Sequence, residues 1–71
     1  MIVLNSNSSV PLYLQIYEQI KKSIVSGELS EGSKLYSTRS LAISLNVSRN
    51  TVESAYQQLC SEGYIKSKAG S

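Results

Sequence analysis

Apolar residues recur along this chain at helical spacing. Leu12, Ile16, Ile20 and Ile24 follow one another every four positions, Tyr13 and Tyr17 widen the stripe, and Lys21, Lys22 and Ser23 fall off it. Side chains four apart stack on one face, so the pattern predicts an amphipathic helix. Pro11 suits its first position, where a missing N–H costs nothing, and Gly27 supplies a left-handed stop. Residues 27–34, GELSEGSK, contain two glycines and a single apolar residue, Leu29, which predicts a loop.

A second, shorter helix is predicted from an N-cap at Ser37 to about Leu45, with Leu41, Ala42 and Leu45 facing inward. Asn46 ends it, because asparagine enters the left-handed region more readily than other non-glycine residues. Ser48 caps a third helix by accepting from the amide of Asn50 or Thr51. Its apolar arc is Val52, Ala55, Tyr56 and Leu59, with Cys60 on the edge and Gly63 as the stop. Two helices joined by so short a turn form a helix-turn-helix unit. Beyond it, Tyr64, Lys66 and Lys68 alternate with Ile65 and Ser67, the period of a strand, and Ala69-Gly70-Ser71 has hairpin-turn composition. The expected fold is mainly α with a small β-hairpin. Three helices and a wing occupy residues 11–71 behind a flexible polar leader, residues 1–10, and the returning wing strand is missing from the sequence.

The outward side of the third helix is made of Asn50, Ser54, Gln57 and Ser61, with only Arg49 and Glu53 charged. Solvated faces usually favour Lys and Glu; amides and hydroxyls both donate and accept, which suits base edges in a DNA major groove. At the start of this helix, Arg49 can fork onto guanine, Asn50 can pair with adenine, and Thr51 can donate to phosphate or pack on a thymine methyl. Ser48, Glu53, Ser54 and Gln57 complete the candidate face. Two roles are open for Arg39 in the second helix: a phosphate contact, or a surface pair with Glu62 or Glu53. Lys66 and Lys68 suit backbone phosphates, although edge lysines also guard against aggregation. Tyr13, Tyr17 and Tyr56 belong to core or rim, and Cys60 to the edge of the core.

Composition narrows the function. In 71 residues there is no His and no Asp, and one Cys, so zinc clusters, His-based triads and an intrachain disulfide are excluded. An enzyme is not expected, and no apolar run approaches the length of about 18 residues that a membrane helix needs. The single cysteine and the lack of a secretory leader favour a cytoplasmic protein. Net charge is +2 but uneven. Residues 1–31 carry Lys21 and Lys22 against Glu18, Glu28 and Glu31, a net of −1; residues 32–71 carry Lys34, Arg39, Arg49, Lys66 and Lys68 against Glu53 and Glu62, a net of +3. A basic C-terminal half favours a polyanion. The competing class is a winged helix used for protein interaction, which calls for a neutral wing and an apolar third-helix face; neither is present.

The joint pattern of G-x-L-x-x-G-x-x-L at Gly27–Leu35, S-x-R-x-L-A at Ser37–Ala42, V-S-R-N-T-V at Val47–Val52 and E-G-Y-I at Glu62–Ile65 resembles the N-terminal winged helix domain of GntR-type bacterial transcription regulators. PLY before the first helix and the AYxQL run make the MocR group the most similar, with the YtrA-like group second. The resemblance implies DNA contacts by Arg39, Arg49, Asn50, Thr51 and Gly70. It also implies that the full-length protein is a homodimer reading a double-stranded operator, with a small-molecule effector bound by a domain absent from this chain. In the MocR group that domain is aminotransferase-like and binds pyridoxal phosphate; no cofactor is expected in this chain. Tyr36 stands where the family usually has Pro, which should loosen the entry to the second helix, and Asn46 replaces the usual turn Gly. Glu53 occupies a position that is basic in some members.

Overall fold

The computed structural model describes residues 2–30 and 34–66. They form three helices: α1, Leu12–Val25; α2, Thr38–Leu45; and α3, Arg49–Ser61. α1 and α2 each pack on α3 and not on one another. The core is contributed by Ile16, Tyr17 and Ile20 of α1, Leu41 and Ala42 of α2, and Val52, Ala55 and Leu59 of α3. Ile16, Val52, Ala55 and Leu59 are wholly removed from solvent. Burying an aliphatic side chain the size of Ile16, Val52 or Leu59 contributes about 1.5–3 kcal/mol. No described polar residue is buried with them, so association of the helices leaves no unpaired polar group to offset the apolar gain.

The helix ends follow local chemistry. Ser37 Oγ accepts from the Ser40 amide at 3.0 Å, and Ser48 Oγ from the Thr51 amide at 3.1 Å. Each bond satisfies one of the amides that a helix start leaves unpaired. Asn46 sits in the left-handed region, φ 57° and ψ 47°. With the chain turned there, the Val47 amide reaches Ala42 O at 3.0 Å and the Asn46 amide reaches Ile43 O at 3.2 Å. The same double closure ends α3: Gly63 has φ 83°, the Tyr64 amide reaches Leu59 O at 2.9 Å, and the Gly63 amide reaches Cys60 O at 3.0 Å.

Three expectations change. Pro11 is the N-cap of α1 rather than its first helical residue; its φ of −56° and ψ of 147° are extended, and its carbonyl accepts from the amides of Leu14 and Gln15. The expected flexible leader is docked over residues 2–10. Val3 exchanges two hydrogen bonds with the Gln19 side chain, at 2.9 and 2.7 Å. Asn5 does the same with Gln15, at 2.9 and 3.0 Å, and Gln15 Nε2 also donates to Val10 O at 2.8 Å. Ile2 and Leu4, the alternate residues, pack against the core, so the polar run NSNSS concealed an apolar anchor ahead of it.

The third change concerns the wing. Among the described residues there is no strand, and Tyr64 and Ile65 follow α3 as bends. The Tyr64 amide is already used in closing α3, and Tyr64 and Ile65 both pack against the core instead of alternating across a sheet. The predicted hairpin turn, with Lys68 and Gly70, lies outside the described residues.

Candidate nucleic-acid interface

The candidate face is the N-terminal half and outer side of α3, and the cap at Ser48 orients its first turn. Ser48 Oγ also shares a hydrogen bond with Thr51 Oγ1 at 2.7 Å, which holds the Thr51 side chain against the cap. Asn50, Ser54, Gln57 and Ser61 are all exposed. Ser61 Oγ donates to Gln58 O at 3.0 Å, whereas the side chains of Asn50, Ser54 and Gln57 make no hydrogen bond with any described residue. A row of amides and a hydroxyl therefore faces outward with its donors and acceptors uncommitted.

Arg49 is different. Its Nε lies 3.3 Å from Glu53 Oε1, an i,i+4 pair whose side chains are 64% and 42% exposed. Exposed pairs of this kind contribute about 0.2–1 kcal/mol, less than the roughly 1–3 kcal/mol of a good bidentate base contact. Glu53 thus holds the guanidinium along α3 only weakly. The pairing was implicit in the four-residue spacing, but sequence reasoning offered Glu53 to Arg39 instead. Arg39 is exposed in the first turn of α2 and forms no ion pair among the described residues. Glu62, its other proposed partner, accepts from the Tyr17 hydroxyl.

Ser48, Arg49, Asn50, Thr51, Glu53, Ser54 and Gln57 are thus brought onto one helix, Arg39 onto the neighbouring α2, and Lys66 onto the exposed segment after α3. Lys68 and Gly70 lie outside the described residues. The structure adds a neighbour: Pro11, Leu12 and Tyr13, the last expected in core or rim, face Asn50, Thr51 and Ser54 across an open groove of about 390 Å³. Tyr13 is 36% exposed at that edge. Helical spacing alone put Tyr13 beside the α1 stripe, and only the packing of α1 on α3 brings it to this face.

Two further tyrosines hold the frame. Tyr56 Oη donates to the Tyr36 carbonyl at 2.7 Å, tying α3 to the chain entering α2; the segment expected to be loosened is held by this bond. Burial pushes the Tyr56 hydroxyl above its ordinary pKa. The Tyr17 hydroxyl is also pushed up, first by its hydrogen bond to Glu62, which favours the protonated phenol.

No group of three metal-ligating side chains occurs among the described residues, and no described helix is long and apolar enough to cross a membrane. The family model "Bacterial regulatory proteins, gntR family" matches residues 12–71. The chain belongs to the GntR family. Among GntR-related regulators, the probable rhizopine catabolism regulatory protein MocR of Rhizobium meliloti is 42% identical over 71 residues, all of this chain and 14% of MocR. The HTH-type transcriptional repressor YtrA of Bacillus subtilis is 40% identical over 70 residues, 99% of this chain and 54% of that protein. In three dimensions, YtrA from Sulfolobus acidocaldarius, a GntR-family transcription factor, superposes with a TM-score of 0.91 at 43% identity, covering 96% of this chain and 72% of that one.

The chain spans only a small part of MocR and about half of the Bacillus YtrA. It is the helix-turn-helix DNA-binding domain of a GntR-family transcription regulator, and its partner is double-stranded DNA. α2 and α3 are the two helices of that unit, and α1 buttresses the second.

Proposed function

We propose that this GntR-family domain reads a specific duplex sequence by laying the N-terminal half of α3 in the major groove. The observation that carries this is the uncommitted polar row of Asn50, Ser54 and Gln57, continuous with Arg49 at the helix start. In this reading Arg49 leaves Glu53 for a guanine edge, Asn50 pairs with adenine, and Thr51 contacts phosphate or a thymine methyl. Arg39 anchors a phosphate from α2, and the α1 edge at Tyr13 closes the groove beside Asn50. Residues 64–71 supply a wing on the backbone or in the minor groove, as a small β-hairpin completed by further chain, with Lys66 and Lys68 on phosphates and Gly70 at its tip.

The whole protein is read as a cytoplasmic homodimer that places two such heads on two half-sites and answers a small effector through a further domain. The likeness to MocR supports an aminotransferase-like form of that domain, to which we assign the pyridoxal phosphate; YtrA-like architecture is the second form. Selection of bound duplexes from a random-sequence pool tests the DNA reading. Enrichment of one motif, bound at least a hundredfold more tightly than random duplex in moderate salt, is the expected result. A pool that stays unenriched while the folded chain still binds DNA would reduce the domain to a non-specific binder.

A further inference from the structure

We infer that Tyr17, Lys21 and Glu62 are positioning residues that fix where Lys66 stands beside α3. The inference rests on the proposed phosphate role of Lys66. Leaving α3, the backbone is set as far as Tyr64 by the left-handed Gly63 and the two amide bonds that close the helix. Beyond that point side chains take over. The Lys21 ammonium lies 5.4 Å from the centre of the Tyr64 ring and 5.7 Å from that of Tyr17, both within cation–π range. The Tyr17 hydroxyl donates to one oxygen of Glu62, and Gln58 Nε2 approaches the other at 3.4 Å.

The cluster therefore spans three parts of the chain: Tyr17 and Lys21 one turn apart on α1, Gln58 and Glu62 at the end of α3, and Tyr64 on the exit. Tyr17 is only 5% exposed, so its ring is a fixed support. Lys21 is half-buried as a residue, and its ammonium stands over both rings. The carboxylate of Glu62 and the ammonium of Lys21 thus grip the exit of α3 through the same tyrosine. Lys66 follows two residues after Tyr64 and is exposed. Its position relative to the DNA-facing row of α3 is inherited from α1.

The test is a double-mutant cycle between Lys21→Met and Lys66→Ala, read as the salt dependence of binding to a labelled duplex that the parent chain selects from a random pool. Losing one phosphate contact lowers the slope by about one. Lys66→Ala should do so, and Lys21→Met should do so with Lys66 present but add nothing once Lys66 is gone. Equal losses in both backgrounds would make Lys21 itself a phosphate contact and overturn the inference. An unchanged slope for Lys21→Met beside a lowered one for Lys66→Ala would leave the cluster purely structural. An unchanged slope for Lys66→Ala would remove the wing reading and the inference with it. Tyr17→Phe keeps the ring and the core while deleting the bond to Glu62, and it should follow Lys21→Met. Without DNA, the ε-methylene protons of Lys21 should show upfield ring-current shifts that Tyr64→Leu reduces; random-coil shifts in the parent chain would also sink the proposal.

Discussion

On α1, Gln15 and Gln19 turn their side-chain amides back onto the chain that precedes the helix, and between them they make five hydrogen bonds to its backbone. On α3, Asn50 and Gln57 carry the same chemical group at exposed positions, where Gln15 and Gln19 are half-buried, and neither side-chain amide bonds to any described residue. The contrast separates two uses of one functional group. An amide that satisfies backbone from a fixed helix is part of the architecture. A row of amides held out by a capped helix, with its hydrogen-bonding capacity unspent, is suited to a partner that presents donors and acceptors in register.

The contrast can be broken in order of effect. Leu59→Ala removes a fully buried side chain that supports α3 against its neighbours, and should cost about 2–5 kcal/mol in denaturant unfolding. A cost near zero would mean that α3 is not held by this core. Arg49→Ala should weaken binding to the selected duplex by about 1–3 kcal/mol and leave the unfolding midpoint nearly unchanged. Equal losses on selected and random duplexes would assign Arg49 to phosphate instead of a base.

For Gln15→Ala the pattern should invert: a stability loss of about 1 kcal/mol and faster hydrogen exchange at the Asn5 amide, with DNA affinity of the folded chain unaltered. Loss of base preference in this variant would contradict the division between the two helices. Gln57→Ala is the smallest of the four, within about 0.5 kcal/mol of parental stability, and its effect should be confined to which duplexes are preferred. A marked fall in thermal midpoint would show that Gln57 is structural after all.

What was legible in the sequence was mostly what is decided within a few residues. Ser37 and Ser48 as caps, Asn46 and Gly63 as left-handed stops, and the inward arc of Val52, Ala55 and Leu59 depend on neighbours in the same turn. The outward position of Asn50, Ser54 and Gln57 follows from the same helical period. The bonds that assemble the face are of another kind. Tyr17 to Glu62 joins positions 45 apart, Val3 to Gln19 positions 16 apart, and Tyr56 to Tyr36 positions 20 apart. No local pattern selects such partners, because several polar groups of similar reach compete for each one. The strand expected after α3 is not shown among the described residues for a related reason: alternation is a property of a chain paired on an edge, and Tyr64 and Ile65 pack against the core there.

Among the described helices, α3 alone packs closely on both others. It joins the other two into one core, so the helix that we propose for the major groove is also the one on which the fold is assembled. Partial melting cannot then serve as an off-switch: a state with α3 undocked would also lose the structure that carries it. In the proposed dimer, control of such a head is geometric, acting on its distance and orientation relative to the second head while each stays intact. In this domain, reading a sequence and remaining folded are one cooperative event.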